Sequence, residues 1–300
     1  MTTLRALECL VALVEEGSVT RAAASLQMSQ PALSHQLASL EREIGTPMVQ
    51  KMGRGVRVTA AGHAVAEEAR VALKASERAV RVGRRIGSGG SGRLRIACAE
   101  TMTAWLLVPV LRHWRARRAE VLIELSEHTS SDRMVELVTS GEVDVAVGPR
   151  PSETTEHLEV LGDEEMVVVA PAGHPFAERL SVPFADLAAE PFVHFVSDNG
   201  LSVSVDQIAA DHGVVLDPVL RTRSPRTAAQ LAAAGMGVTI VPVSALPARP
   251  PGVVRRLDPL VEREIVVVVA APSDSLVALF VDDLRRRGLP GGRATGPGAN

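Results

Sequence analysis

The sequence predicts a multidomain α+β protein: a small helical domain with a hairpin in front, a long linker helix, and a two-lobed α/β domain behind. Three observations support this prediction. Apolar residues recur at helical spacing through about residue 86, and a Ser/Gly-rich run follows at 88–92. From residue 93 onward, short Val-rich segments alternate with helical ones. A length of 300 residues suits about two domains.

Charge is distributed unevenly along the chain. The net charge is −3, but residues 1–90 carry 12 basic and 8 acidic side chains, a net +4, which leaves −7 for the remainder. A basic front and an acidic back indicate that only the front meets a polyanion.

Three features indicate a soluble, cytoplasmic protein without a membrane partner. No apolar run reaches the roughly 18 residues that cross a bilayer. The first residues lead into an amphipathic helix rather than a signal peptide, which argues against an exported solute-binding protein. Cys9 and Cys98 fall in different predicted domains, so no intrachain disulfide is expected.

The first two helices are predicted from spacing and from their ends. Leu4, Leu7, Val11 and Val14 form one apolar face of a helix that ends at Gly17. A short Ala-rich helix at 19–26 follows, and Ser18 is expected to cap it.

The third helix follows a tight turn and is expected to begin after Ser29, a good N-cap, and to run to about residue 44. Its buried stripe is predicted as Leu33, Leu37, Leu40 and Ile44. The residues off that stripe are polar: Gln30, Ser34, His35 and Arg42. This arrangement predicts a helix-turn-helix whose third helix enters the major groove of DNA. The alternative is that these side chains are only the solvated face of a three-helix bundle.

A basic hairpin follows the third helix. Two glycines allow a turn between Lys51 and Arg57, and Arg54 lies between them. Such a wing can lie against the phosphate backbone or the minor groove. Residues 1–61 are therefore predicted to form a winged helix-turn-helix domain.

Residues 62–91 are predicted to form a dimerisation linker helix and a flexible hinge. The apolar residues of the helix repeat every three or four positions: Val65, Ala69, Ala72, Ser76, Ala79, Val82 and Ile86. Because a lone helix of this length is a poor core, we expect it to pair with a second copy. The alternative is packing against its own domain.

Residues 92–300 are predicted to form two α/β lobes with a parallel sheet. Strands are expected at 94–98, 121–126, 143–147, 165–170, 191–195, near 219, 238–241 and 263–270, and helices at about 103–116, 132–140, 203–212, 226–234 and 276–287. Lobe I is expected to comprise about 92–163 and 265–287, and lobe II about 164–264. Two crossings between lobes predict a cleft, where strand ends and helix N-termini bind ligands.

The sequence resembles the LysR-type transcriptional regulators over nearly its full length. The resemblance rests on the segments GSVTRAAA (17–24), SQPALSHQL (29–37), LEREIG (40–45), GRGVRVTAAG (53–62) and GEVDVAV (141–147). It implies a periplasmic-binding-protein-like effector domain, tetramers built from two dimers, and binding to double-stranded DNA with interrupted dyad symmetry. It leaves RNA polymerase open as a further partner.

The resemblance also assigns residues. Gln30, Pro31, Ser34 and His35 match the family's DNA-facing positions, and Arg54 matches the wing. His35 stands where Arg is more usual. In the effector domain the matching loop residues are Thr101, Thr129, Ser130, Ser202, Arg223 and Ser224.

The expected effector is a small anion or carboxylate, with no further cofactor and no metal. Helix N-termini and hydroxyls supply donors, and Arg223 can pair with a carboxylate. Glu100 complicates this expectation, because a carboxylate in the cleft repels a simple anion. It either pairs with Arg223 or contacts a positive group on the ligand.

Two other function classes fit the sequence less well. An enzyme is disfavoured because Ser, His, Asp and Glu occur in no nucleophile elbow, metal-spaced cluster or phosphate loop. A thiol redox sensor would need an activated cysteine, and Cys98 has no partner visible in the sequence.

Overall fold

The structure is a computed structural model that describes residues 3–53, 55–87 and 92–290. The chain separates into two compact units: one comprises the residues up to Gly87 together with Thr139–Glu142, and the other comprises the rest. None of the described helices is long and apolar enough to span a bilayer.

The front unit contains four helices and a hairpin within its described residues. Its elements are α1 (Leu4–Glu16), α2 (Val19–Ser25), α3 (Gln30–Ile44), β1 (Val49–Lys51), β2 (Val56–Val58) and α4 (Ala60–Gly87). The two strands pair antiparallel, which confirms the predicted winged helix-turn-helix.

Most helix ends follow the predicted capping. Gly17 and Gly45 close α1 and α3 with left-handed φ angles of 62° and 76°. The Ser29 hydroxyl accepts from the Ala32 N–H at the start of α3. Ser18 precedes α2 as expected, but its side chain makes no capping hydrogen bond.

The buried face of α1 differs from the prediction. Cys9, Leu10 and Leu13 are fully buried, whereas Leu4 is 46% exposed and Val11 only partly buried. Because α1 packs against α2, α3 and α4, its buried arc is set by three neighbours rather than by the apolar spacing alone. Ile44 at the end of α3 is likewise 43% exposed.

Some of the apolar residues predicted to form the dimer seam of the linker helix α4 instead pack within its own unit. Val65 packs against the front core, and Ala69 is buried. Farther along, Val71, Ala79 and Val80 are exposed. The side chains of Val82 and Ile86, and the predicted hinge at 88–91, lie outside the described residues.

The second unit contains the α/β elements. Its strands are β3 (Gly92–Ala99), β4 (Val121–His128), β5 (Val145–Pro149), β6 (His157–Ala170), β7 (Ser181–Pro183), β8 (Pro191–Phe195), β9 (Asp217–Thr222), β10 (Thr239–Pro242), β11 (Val253–Asp258) and β12 (Glu262–Val269). Its helices are α5 (Glu100–Met102), α6 (Val108–Arg117), α7 (Ser131–Thr139), α8 (Gly200–Asp211), α9 (Pro225–Leu231) and α10 (Ser275–Arg287), with π-helical turns at Thr103–Leu107 and Ala232–Met236.

The sheet is mixed, so the prediction of a parallel sheet was wrong for part of it. Strands β4, β3 and β5 run parallel, but β12 is antiparallel to both β5 and β6. The reason is that β12 brings the chain back from the second lobe in the opposite direction. Strands β7 and β11 were not predicted at all.

Strand β6 joins the two lobes. Its first part pairs with β12 in lobe I, and its second part pairs with β10 and β11 in lobe II. Each lobe has its own core, centred on Trp114 and Phe280 in lobe I and on Phe192 and Phe195 in lobe II. The two crossings place the β3, β4 and β5 ends of lobe I opposite the start of α8 in lobe II.

Candidate functional sites

A row of four exposed side chains, three of them polar, lies at the start of α3. Gln30, Pro31, Ser34 and His35 are all exposed, while Leu33 on the opposite face is fully buried. The structure therefore brings the four predicted α3 residues together on one surface. Arg54, the fifth predicted DNA-binding residue, lies outside the described residues.

Two hydrogen-bonded contacts fix this surface, and neither was expected from the sequence. The Gln30 amide Nε2 donates to Thr20 Oγ1 on α2 at 3.0 Å. Glu41 Oε1 on α3 accepts from the backbone N–H groups of Met48 and Val49 at 2.8 and 2.9 Å. Helix α3 and the hairpin are thereby held as one body. On the hairpin, exposed Arg57 donates to Gln50 Oε1 at 3.0 Å.

The second unit contains a cavity of about 500 Å³ between its lobes, a size typical of small-molecule sites. Its walls come from the ends of β3, β4 and β5, the loop before α8 and the start of β12. The residues that line it are Ala99, Glu100, Thr101, 128–132, Met134, Pro149, Arg150, Ser152, 197–201, Val203, Ser204, Gln207, Pro225, Arg263 and Glu264.

Three of the predicted effector residues line this cavity: Thr101, Thr129 and Ser130. Ser202 does not line it, because its side chain is buried and its hydroxyl lies 3.5 Å from the Phe195 carbonyl oxygen. Arg223 and Ser224 lie at the rim, next to the lining residue Pro225.

Arg223, at the rim of the cavity, is paired with Asp198 rather than with Glu100. Its Nη2 lies 2.5 Å from Asp198 Oδ2, and both side chains are exposed. The Glu100 carboxyl instead has the Ser224 hydroxyl as its nearby hydrogen-bonding group, which lowers its pKa, and no cation lies at ion-pair distance among the described residues. The sequence left two alternatives for Glu100: pairing with Arg223 or contact with a positive group of the ligand. The structure does not show the pairing with Arg223.

Glu100 is half-buried, and burial raises the pKa of its carboxyl. The Ser224 hydrogen bond opposes this rise, Glu127 adds to it, and Arg223 and Arg226 oppose it more weakly. The carboxyl is therefore less easily ionised than one in water.

Arg263 is a cavity-lining cation that the sequence analysis missed. Its Nε and Nη2 donate to Glu164 Oε2 at 2.9 and 2.8 Å, and Nη2 lies 3.4 Å from Thr101 Oγ1. Glu164 is completely buried, and its other oxygen accepts from the Ser244 N–H at 2.8 Å. The available signal was a pair of opposite charges at the ends of two Val-rich strands, which β6 and β12 place directly opposite each other.

Both cysteines are buried thiols. Burial raises the pKa of Cys98 to about 12 and raises that of Cys9 above its ordinary value. Because the thiolate is the reactive species, these environments disfavour the thiol-sensor alternative.

Comparison with known proteins covers both units. A family model described as "Bacterial regulatory helix-turn-helix protein, lysR family" matches residues 4–63, and one described as "LysR substrate binding domain" matches residues 87–288. The "HTH-type transcriptional regulator AlsR" of Bacillus subtilis (strain 168) is 31% identical over 245 residues, 81% of each protein. The "DNA-binding transcriptional dual regulator OxyR" of Escherichia coli (strain K12) is 32% identical over 248 residues, 81% of this chain and 80% of that protein.

Solved structures share the fold. Full-length CbnR, in complex with its target DNA, matches with a TM-score of 0.54 and 23% identity, covering 95% of this chain and 99% of that one. The matches to both family models and the curated relatives lead to the same assignment. The chain therefore belongs to the LysR family of DNA-binding transcriptional regulators.

Proposed function

We propose that the chain binds a dyad-symmetric operator as a homodimer through the start of α3 and the hairpin, and that a small effector in the cavity between the lobes controls this binding. The observation that carries the proposal is the exposed row Gln30, Pro31, Ser34 and His35, held against α2 and the hairpin by hydrogen bonds. No catalytic residue forms part of the proposal.

Each α3 residue has a role that suits the major groove. A Gln amide can make two hydrogen bonds to adenine, and Ser and His can bond base edges or phosphates. Pro31 occupies the first turn, where its missing N–H costs nothing. Arg54 and Arg57 are assigned to the phosphate backbone, which predicts salt-sensitive binding.

We expect Gln30→Ala to weaken binding to the specific site by about 1–3 kcal/mol, because a bidentate base contact is lost. Binding to unrelated DNA should change little. The measurement is fluorescence anisotropy of the full chain with operator and scrambled duplexes.

Gln36→Ala is the matched control, since Gln36 lies on the same helix, a half-buried position outside the exposed row. If the two variants bind the operator equally well, the assignment of this surface is wrong.

We also propose that α4 forms the dimer interface, with tetramers assembled from two dimers and RNA polymerase as a contact on the promoter. The support is the exposed apolar face of α4 beyond Ala69, which includes Val71 and Ala79. An unpaired apolar stripe on a helix of 28 residues favours coiled-coil packing.

The double substitution Val71→Glu with Ala79→Glu should place four like charges in one dimer seam. We expect sedimentation to show dissociated protein with weakened operator binding, whereas Glu77→Ala on α4 should sediment as wild type. An unchanged mass for the double variant would show that α4 does not hold the dimer.

The effector is assigned to the cavity, with Thr101, Thr129, Ser130 and Arg263 as lining contacts and Arg223 and Ser224 at the rim. A backbone hydrogen bond joins the lobes there: the Gly200 N–H donates to the Thr129 carbonyl at 2.9 Å, and the Ser224 hydroxyl of one lobe acts on the Glu100 carboxyl of the other. A ligand between these contacts touches both lobes, so its binding is coupled to their relative position.

A further inference from the structure

The charges that line the cavity are mostly negative. The carboxylates are those of Glu100, Asp132, Asp198 and Glu264, and the cations are Arg150 and Arg263. An effector that carries only negative charge would enter against this excess, at a cost that grows as water is excluded. The lining therefore argues against the simple anion expected from the sequence.

Most of these groups already have partners within the described residues. Arg150 pairs with Glu264, and Asp198 pairs with Arg223. Asp132 accepts from the backbone N–H and the hydroxyl of Ser152 at 2.8 and 3.0 Å. Glu264 and Asp198 are therefore ion-paired, and both oxygens of Asp132 accept hydrogen bonds, before any ligand binds.

Glu100 and Arg263 differ in that each keeps an atom that makes no hydrogen bond within the described residues. The Glu100 carboxyl accepts only a neutral hydroxyl bond, from Ser224, among the described residues, and it pairs with no cation at ion-pair distance. Arg263 uses Nε and Nη2 for Glu164 and Thr101, and its Nη1 makes no hydrogen bond within the described residues. Each group thus keeps capacity for an oppositely charged ligand group.

The two groups also lie close together in the fold. Glu100 and Thr101 are adjacent residues at the start of α5, and Arg263 Nη2 lies 3.4 Å from Thr101 Oγ1. Glu100 and Arg263 thus line the same cavity, and Arg263 contacts the residue next to Glu100. A ligand that contacts both groups carries a positive and a negative group on one small molecule.

We propose that the effector is a zwitterion of the amino-acid class, whose ammonium group binds Glu100 and whose carboxylate binds Nη1 of Arg263. This inference rests on the proposed function, because it takes the cavity as the effector site. Glu164 is a positioning residue in this arrangement: it holds the guanidinium and neutralises one side of it without touching the ligand.

The raised pKa of Glu100 is consistent with this assignment. Glu127 on β4, and Arg223 and Arg226 on the opposite lobe, also act on the carboxyl, and their combined effect still leaves it raised. An ammonium group beside the carboxyl favours its ionised form. Binding should therefore weaken as the pH falls through the pKa of the free carboxyl.

The test is isothermal titration calorimetry of the full chain with each of the twenty standard amino acids. For every amino acid that binds, the corresponding deaminated carboxylate and decarboxylated amine are titrated as well. We expect at least one amino acid to bind and both truncated analogues to bind at least tenfold more weakly.

Glu100→Gln should weaken amino-acid binding at least tenfold and spare or improve binding of the deaminated carboxylate. Glu153→Gln, an exposed carboxylate outside the cavity lining, is the matched control and should bind as wild type. Without ligand, at about pH 8, the melting temperature of Glu100→Gln should equal or slightly exceed that of the wild type, because burial no longer penalises a charged carboxylate. At about pH 4 the wild-type carboxyl is protonated, so the difference in melting temperature should vanish. This melt shows that the variant is folded.

Two results would overturn the inference: no amino acid in the panel binds, or a deaminated carboxylate binds as tightly as its parent amino acid. Either result leaves the proposed function standing, because operator binding and its loss in Gln30→Ala are measured separately. If the bound ligand leaves operator affinity unchanged, that result counts against the proposed function. The calorimetry still reports which class of ligand the cavity binds.

Discussion

Gly62→Ala is expected to destabilise the hairpin and to reduce operator binding strongly. A Cβ at this position would lie 2.4 Å from the Met48 carbonyl oxygen and 2.6 Å from Val58 Cγ1, closer than atoms can approach. Met48 is held by Glu41, so the backbone next to β1 cannot yield without breaking that contact. Overpacking of this kind costs about 1–3 kcal/mol or more.

Hydrogen exchange in the hairpin and the start of α4, together with operator affinity, measures this effect. The matched control is Gly83→Ala on the same helix, where an added Cβ meets no atom within 4 Å among the described residues. Because Ala favours helix, this variant should be neutral or up to about 1 kcal/mol more stable. Equal protection of the hairpin in both variants would contradict the packing described for Gly62.

Glu164→Ala is expected to destabilise the second unit by about 3–5 kcal/mol, because it leaves the Arg263 guanidinium and the Ser244 N–H without their buried partner. Both tryptophans, Trp105 and Trp114, lie in this unit, so their fluorescence during denaturant unfolding reports on it alone. The variant should also lose ligand binding, since the two Glu164 contacts that orient Arg263 are then gone.

Glu159→Ala provides the comparison on the same strand. Its carboxylate is ion-paired with Arg285 at 2.5 Å, but the pair lies at the surface, where such pairs contribute about 0–1 kcal/mol. If the two variants unfold at the same denaturant concentration, the Glu164–Arg263 pair is not the buried link described above.

The front unit could be predicted closely because its signals are local. Ser29, Gly17 and Gly45 mark helix ends through their own backbone and side-chain chemistry, and the α3 bounds follow. The supports of the DNA-facing surface could not be predicted. Thr20 and Glu41 act through tertiary contacts, which periodicity does not reveal.

The residues that line the cleft could be predicted less completely, because their positions depend on helix starts and strand register that the sequence pattern does not reveal. The apolar pattern predicts a helix from about residue 203 and so leaves Ser202 in a loop, but α8 begins at Gly200 and turns Ser202 to its buried face. The polar segment at 157–164 conceals the first half of β6, and with it the register that sets Glu164 opposite Arg263.

The partner of Arg223 also depends on tertiary structure. Asn199 donates to the Arg223 carbonyl and so brings together two loops that lie far apart in the sequence. Asp198 is thereby placed beside the guanidinium. The sequence offered Glu100 as the partner of Arg223, and only the loop arrangement brings Asp198 to the guanidinium instead.

The most direct test of the central claim is selection of genomic DNA fragments by the purified full-length protein, followed by sequencing, for the wild type and for Gln30→Ala. We predict that the wild type enriches fragments sharing an interrupted dyad, and that Gln30→Ala loses this enrichment while retaining weak, salt-sensitive binding to all fragments. Fragments without a shared dyad, or an enrichment that Gln30→Ala leaves intact, would contradict sequence-specific recognition through α3.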